Sequence, residues 1–186
     1  LMASLPRMAE TEEIPLRLAV GRIVGTDVLA NVNVPPHANS AMDGYAVRSA
    51  EFNKERIFSV SQRIAAGEVG HELEDGSVAR IFTGAPMPLG ADAVVMQENV
   101  ELSSEGAKIL QFAAPGENVR VAGEDIEIGQ LLFEQGSRLR PQDIGMLASV
   151  GLTQITVRRR LRVALLITGN ELVLPGRPLK PGQIYN

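Results

Sequence analysis

The stretch Val78-Ala79-Arg80-Ile81-Phe82-Thr83-Gly84-Ala85-Pro86-Met87-Pro88-Leu89-Gly90-Ala91-Asp92 decides how this chain reads. Its first five residues form a short, mainly apolar run, the composition of a strand. The next ten cannot continue it. Gly84 and Gly90 permit turns closed to other residues, while Pro86 and Pro88 fix φ and donate no ladder hydrogen bond. Loops held by a rigid scaffold are where binding groups sit. A second loop of this kind lies upstream, Asn39-Ser40-Ala41-Met42-Asp43-Gly44-Tyr45-Ala46, with a carboxylate beside a glycine. Either loop taken singly also reads as ordinary turn chemistry.

Outward from these loops, residues 45–138 alternate short apolar runs with glycine-bearing turns. Runs at 78–82, 93–96, 108–112 and 131–134 predict the strands of a small barrel or sandwich, and glycine recurs too often for helices. Upstream, 27–34 should be extended, ending at Pro35-Pro36. Ile14, Leu16 and Leu18 alternate as in a short strand, 18–23 reads as a brief helix interrupted by Gly21, and Leu1 to Leu5 reads as the end of a helix. Downstream, 141–150 predicts a helix. Pro141 suits its first position, Asp143 its positive N-terminal end and Gly151 its stop, with Ile144, Leu147 and Ala148 as the apolar stripe. Residues 153–157 alternate as a strand. Residues 161–168 then form a continuous apolar run ending at Thr168-Gly169, the pattern of the first strand of a buried parallel sheet. Such a strand needs crossover helices and partner strands to cover it, and little sequence follows it. A piece of a longer protein is therefore expected.

The bulk properties narrow the chemistry. The 186 residues suffice for one ordinary domain or two small ones. A net charge of −4 argues against a nucleic-acid surface. No apolar stretch approaches the ~20 residues of a membrane span, and no signal peptide shows, so neither nucleic acid nor membrane is an expected partner and a cytoplasmic location is compatible. Cysteine is absent, which removes disulfides, thiolate metal sites and thiol nucleophiles. The two histidines, His37 and His71, lie in Pro- and Gly-rich loops and read as exposed loop residues. Any metal would be hard and oxygen-bound.

The two loops, in this order and spacing, resemble the molybdopterin molybdenumtransferases of molybdenum-cofactor biosynthesis, the family that includes the C-terminal domain of gephyrin. Three further stretches fit: Arg120-Val121-Ala122-Gly123-Glu124-Asp125-Ile126; Arg140-Pro141-Gln142-Asp143-Ile144-Gly145-Met146-Leu147-Ala148; and Arg162-Val163-Ala164 through Thr168-Gly169-Asn170-Glu171-Leu172, with Gly182-Gln183-Ile184-Tyr185 after it. The resemblance implies a multidomain, mixed α+β architecture. An elongated outer domain (1–44 and 139–160) would be split by an inserted small β-barrel-like domain (45–138). The first strand of a truncated α/β molybdopterin-binding domain (161–186) would follow.

The resemblance also implies an activity. Family members are homodimers that hydrolyse adenylylated molybdopterin and insert molybdate into it with Mg²⁺ as divalent metal, in a cleft shared between subunits. The adenylyltransferase that makes that substrate is a further candidate partner. The catalytic residues implied are Asp43, Thr83 and Glu171, with Asp43 and Glu171 as metal ligands. The substrate-binding residues implied are Ser40, Arg120, Asp125 and Gly169. Three have a second reading: Asp43 as an Asx-turn, Thr83 as a strand-end turn, and Arg120 in an ion pair with Glu124 or Asp125 rather than on an anion. Glu171 would sit at the C-terminal edge of a parallel strand, where α/β folds bind ligands. The chain departs from the family where Asn170 replaces a usual aspartate and His37-Ala38 a usual Phe-Asp. A dimerisation or scaffold module without activity of its own is the competing reading.

Overall fold

In the computed structural model, which describes residues 10–186, the regular elements are nearly all β-strands, with a single α-helix among the described residues. The helix end expected at residues 1–5 lies outside the described residues. In chain order the strands are β1 (Thr11–Pro15), β2 (Val28–Leu29), β3 (Asn39–Ser40), β4 (Gly44–Val47), β5 (Ile57–Ile64), β6 (Ser77–Ile81), β7 (Ala93–Met96), β8 (Val100–Ser103), β9 (Gly106–Ile109), β10 (Val119–Arg120) and β11 (Leu131–Phe133). Helix α1 (Pro141–Ser149) follows, then β12 (Gln154–Arg158), β13 (Leu172–Val173) and β14 (Ile184–Tyr185).

Six strands form one sheet in the order β7-β4-β6-β5-β9-β8, antiparallel except for the β5–β6 pair. All four residues of β4 are buried. Their period-two alternation explains how. Tyr45 and Val47 enter one cluster with Phe58, Val78, Val95 and Ile109, whereas Ala46 enters another with Ile64, Leu73, Ile81 and Val94. A strand covered on both faces reads as a continuous apolar run, which is why 93–96 and 78–82 were legible. Strand β5 bridges the two halves. Its start pairs with β9 and its later residues with β6, with a bulge between Val60 and Gln62. The sheet thereby curls over the Tyr45 cluster; β8 is one edge, and the other, β7, is bonded by the 117–118 turn, where Val94 N–H donates to Glu117 O at 3.0 Å and Asn118 Nδ2–H to Val94 O at 2.9 Å.

Residues 119–138 run back antiparallel along 23–40. The contacts are β10 with β3, the Val34–Ile126 bridge, β11 with β2 and the Ile23–Arg138 bridge. This ribbon joins the sheet to the end of the molecule that carries α1 and the β1–β12 pair. There Leu147 of α1 is fully buried with Leu16, Val24, Leu139 and Val157. Val150, just after the helix, packs with Ala30 and Ile126 from the two arms of the ribbon.

Several expectations are corrected. Residues 18–23 form no helix. A 3-10 turn, Leu16–Leu18, ends at Ala19, and Gly21 adopts φ +77°, which a helix cannot use. Within 27–34 only Val28–Leu29 is strand, and Val34 adds an isolated bridge to Ile126. Ala148 is exposed, so the buried face of the helix is Leu147 with half-buried Ile144, continued by Val150. Residues 161–168 form no strand. Val163, Leu165 and Leu166 are more than 80 % exposed, for among the described residues no neighbouring strand supplies hydrogen bonds and no helix covers the apolar side chains. The parallel ladder that does occur nearby is the two-residue β13–β14 pair.

The start of α1 yields a prediction. Asp143 accepts from the Arg140 backbone N–H at 2.7 Å and from both faces of the Arg140 guanidinium fork at 3.0 and 3.1 Å. The guanidinium first, and the backbone N–H second, hold the Asp143 carboxyl below its ordinary value. A lowered carboxyl contributes stability fully above its unfolded pKa of about 3.9 and loses it as pH falls toward the lowered value. Asp143→Asn should therefore reduce stability at neutral pH and flatten the loss below about pH 4. Denaturant midpoints across pH check this; an unchanged acid slope would count against it.

Candidate active site

Strand β3 is held from both sides. On one edge Val119 and Arg120 pair with Ser40 and Asn39, and Ala41 N–H donates to Asn118 O at 2.9 Å. On the other, Ser40 N–H donates to Ala85 O, Gly84 N–H to Ser40 O and Met87 N–H to Ala38 O, at 2.8 to 3.0 Å. Three loops distant in sequence are thus fixed against one another. Ser40 is 1 % exposed, and its hydroxyl donates to Met42 O at 2.6 Å. It holds the loop in shape, with its hydroxyl turned inward. Asn39 Oδ1 is buried without a hydrogen-bond partner among the described residues.

The antiparallel register of β4 and β6 sets the central contact. Gly44 lies opposite Ile81, so the residue before β4 meets those just after β6. Asp43 Oδ1 accepts from both Thr83 N–H and Thr83 Oγ1–H, each at 2.8 Å. Both residues are exposed. The Thr83 backbone N–H, then its hydroxyl, lower the Asp43 pKa, and the Arg80 charge adds to this. Asp43 is therefore ionised at neutral pH. Its second oxygen, Oδ2, has no protein donor among the described residues. Gly44 is required here: a Cβ would stand 2.1 Å from Val95 O in the neighbouring strand. Arg80, which sequence reading passed over, donates to Gly44 O at 2.8 Å and to Gln97 Oε1 at 2.6 Å. Its signal was a lone arginine inside an otherwise apolar strand.

Arg120 takes its second reading. It bonds Asp125 at 2.6 Å and Glu124 at 3.2 Å, and these carboxylates raise its pKa further. The three side chains are each partly or fully exposed, so an arriving anion could compete for the guanidinium. Gly169 and Glu171 stand apart from this cluster. Among the described residues, every hydrogen bond of 169–186 stays within that segment, and Ile184 N–H donates to Glu171 O at 2.8 Å. Asp43, Thr83 and Ser40 are brought together, with Arg120 on the adjoining strand; Glu171 and Gly169 are not joined to them.

The donor set bears on a metal. No group of three or more His, Cys, Asp or Glu side chains able to hold one occurs among the described residues. Asp43 Oδ2 offers a single hard oxygen. Mg²⁺ is commonly held by one or two carboxylates with substrate phosphates and waters, so Asp43 fits a site that a ligand completes. A charged, open carboxylate oxygen can accept from a water or meet a cation; the hydroxyl beside it fixes its direction.

The comparisons with known proteins agree with the fold. The family described as MoeA N-terminal region (domain I and II) matches residues 1–151. The chain is 40 % identical over 188 residues to the molybdopterin molybdenumtransferase of Haemophilus influenzae, and 41 % over 192 residues to that of Nostoc sp.. It is covered in full by both and spans 46 % and 44 % of their lengths, less than half of each relative. A crystal structure of a molybdopterin biosynthesis MoeA protein from Pyrococcus horikosii superimposes with a TM-score of 0.90 at 38 % identity, covering 99 % of this chain and 49 % of that one. No helix among the described residues is long and apolar enough to cross a membrane. Matched over most of its length by the family and along its whole length by these relatives, the chain belongs to the MoeA family and corresponds to its N-terminal region.

Proposed function

We propose that this chain supplies one wall of the active site of a molybdopterin molybdenumtransferase, which hydrolyses the adenylyl group of adenylylated molybdopterin and inserts molybdate. The observation that carries the reading is the Asp43–Thr83 pair: an ionised carboxylate with one oxygen satisfied and one open, on an exposed rim. Asp43 orients a water or a substrate hydrogen through Oδ2. Thr83 keeps the carboxylate aimed and charged. Arg120 offers a fork to an oxyanion once it exchanges Asp125 or Glu124 for substrate. Mg²⁺, when bound, would neutralise charge on the phosphate anhydride, with Asp43 as the ligand from this chain.

Thr83→Val tests the local chemistry. The backbone donor remains and the hydroxyl donor goes, so the Asp43 pKa should rise part of the way to its ordinary value. A carboxyl-carbon NMR titration reads this; an unchanged titration would show that the hydroxyl bond contributes nothing.

The separation of Glu171 and Gly169 from the Asp43 cluster supports a cleft shared across a homodimer. Full-length Asp43→Asn and Glu171→Gln proteins, mixed and allowed to exchange, should then regain activity. Random exchange puts about half the subunits' dimers in the mixed state, each with one intact cleft of two, giving roughly a quarter of wild-type turnover. Release of AMP from adenylylated molybdopterin measures it. No recovery after verified exchange would place each cleft within one subunit. No AMP release by the unmutated protein would remove the proposed function itself.

A further inference from the structure

Arg63 and Arg80 are directly opposed neighbours in the β5–β6 ladder, in one cross-strand row that continues to Tyr45 and Val95. Like charges placed opposite one another destabilise a sheet. Among the described residues neither arginine forms a salt bridge that would offset this. Instead both guanidinium groups stack on Phe82, at 4.4 Å for Arg63 and 4.5 Å for Arg80, and Arg80 also lies 5.2 Å from the Tyr45 ring. The stacking holds the two planes in place without consuming their N–H donors. Arg80 uses some of its donors on Gly44 O, Ile81 O and Gln97 Oε1. Arg63 is exposed and donates to no protein acceptor among the described residues. Phe82 is the residue immediately before Thr83, so this cationic shelf adjoins the Asp43–Thr83 pair.

We propose that Arg63 and Arg80, stacked on Phe82, form a subsite for a phosphoryl oxyanion of the ligand whose reacting end lies at Asp43; this rests on the function proposed above. A carboxylate has two oxygens and is filled by one guanidinium fork, whereas a phosphoryl group has enough to take two. The negative charge of Asp43 lies toward Arg80, which lowers its pKa, so the anion is held mainly by Arg63, the outer member of the pair.

The experiment measures binding of inorganic pyrophosphate to the full-length protein by calorimetry. Arg63→Gln should weaken it about tenfold or more, the loss of a charge-assisted pair of hydrogen bonds. Arg63→Lys, which keeps the charge and loses the fork, should weaken it less. Measured without divalent metal, Asp43→Asn should not weaken it, since that variant removes a negative charge. Unchanged pyrophosphate affinity in a folded Arg63→Gln protein overturns the subsite. If that variant instead changes only self-association in sedimentation, the arginines face acids of a second copy and the subsite is again wrong. Loss of pyrophosphate binding in Arg63→Gln beside no AMP release by the unmutated protein would leave the subsite standing and remove the proposed function.

Discussion

Asp43→Asn in the full-length protein is expected to lower turnover of adenylylated molybdopterin by about a hundredfold or more, the usual cost of removing a charged or hydrogen-bonding group aimed at a reaction centre. The substitution is selective. The asparagine carbonyl oxygen can still accept the two bonds from Thr83, each 2.8 Å long in the native loop, so the turn keeps its shape and loses its charge. Asp43 is exposed and lies outside both clusters that form the core of the sheet. An unchanged denaturation midpoint should accompany the lost rate. Wild-type turnover would show that the carboxylate is only a turn former.

Gly44→Ala should act through the fold instead. The new methyl group would stand 2.1 Å from Val95 O and 2.9 Å from Val95 C, both backbone atoms of the paired strand. A flexible side chain could swing away; a backbone in a central ladder cannot move without breaking the β4–β7 pairing from Gly44–Met96 to Val47–Ala93. Overpacking of this kind costs about 3 kcal/mol or more, a large part of the ~5–15 kcal/mol that stabilises a typical domain. The denaturant midpoint should fall steeply, and activity with it, because Asp43 is the next residue. A midpoint equal to that of the native protein would mean that β4 and β7 can separate at no cost.

The sequence was legible where one residue's neighbours in the chain also determine its environment. The run at 93–96 is apolar throughout because both faces of β7 are covered, and α1 announces itself by Pro141 and Asp143. Strand β5 went unnamed because a bulge between Val60 and Gln62 breaks its alternation and Ser59, Ser61, Gln62 and Arg63 interrupt its apolar residues. The reading of 161–168 failed for a different reason. Its composition is that of a buried strand, but a parallel strand exists only as part of a ladder, and none of the described residues forms a neighbouring strand to complete it.

The site divides in the same way. Asp43 and Thr83 stood out as an acid and a hydroxyl in stiff loops, yet their contact depends on the β4–β6 register across forty residues. Arg80 and Arg63 were passed over since a single arginine in a strand carries no message until its cross-strand partner is known. Ser40 illustrates the converse. Its motif membership was visible, but its burial, which turns the hydroxyl into loop scaffold, was not.

The most direct test is a crystal structure of the full-length protein with adenylylated molybdopterin bound. The phosphate anhydride is expected against the two loops, with Asp43 Oδ2 within hydrogen-bond or coordination distance of the ligand, its water or its cation. A ligand bound elsewhere, with Asp43 and Thr83 facing bulk solvent, would contradict it.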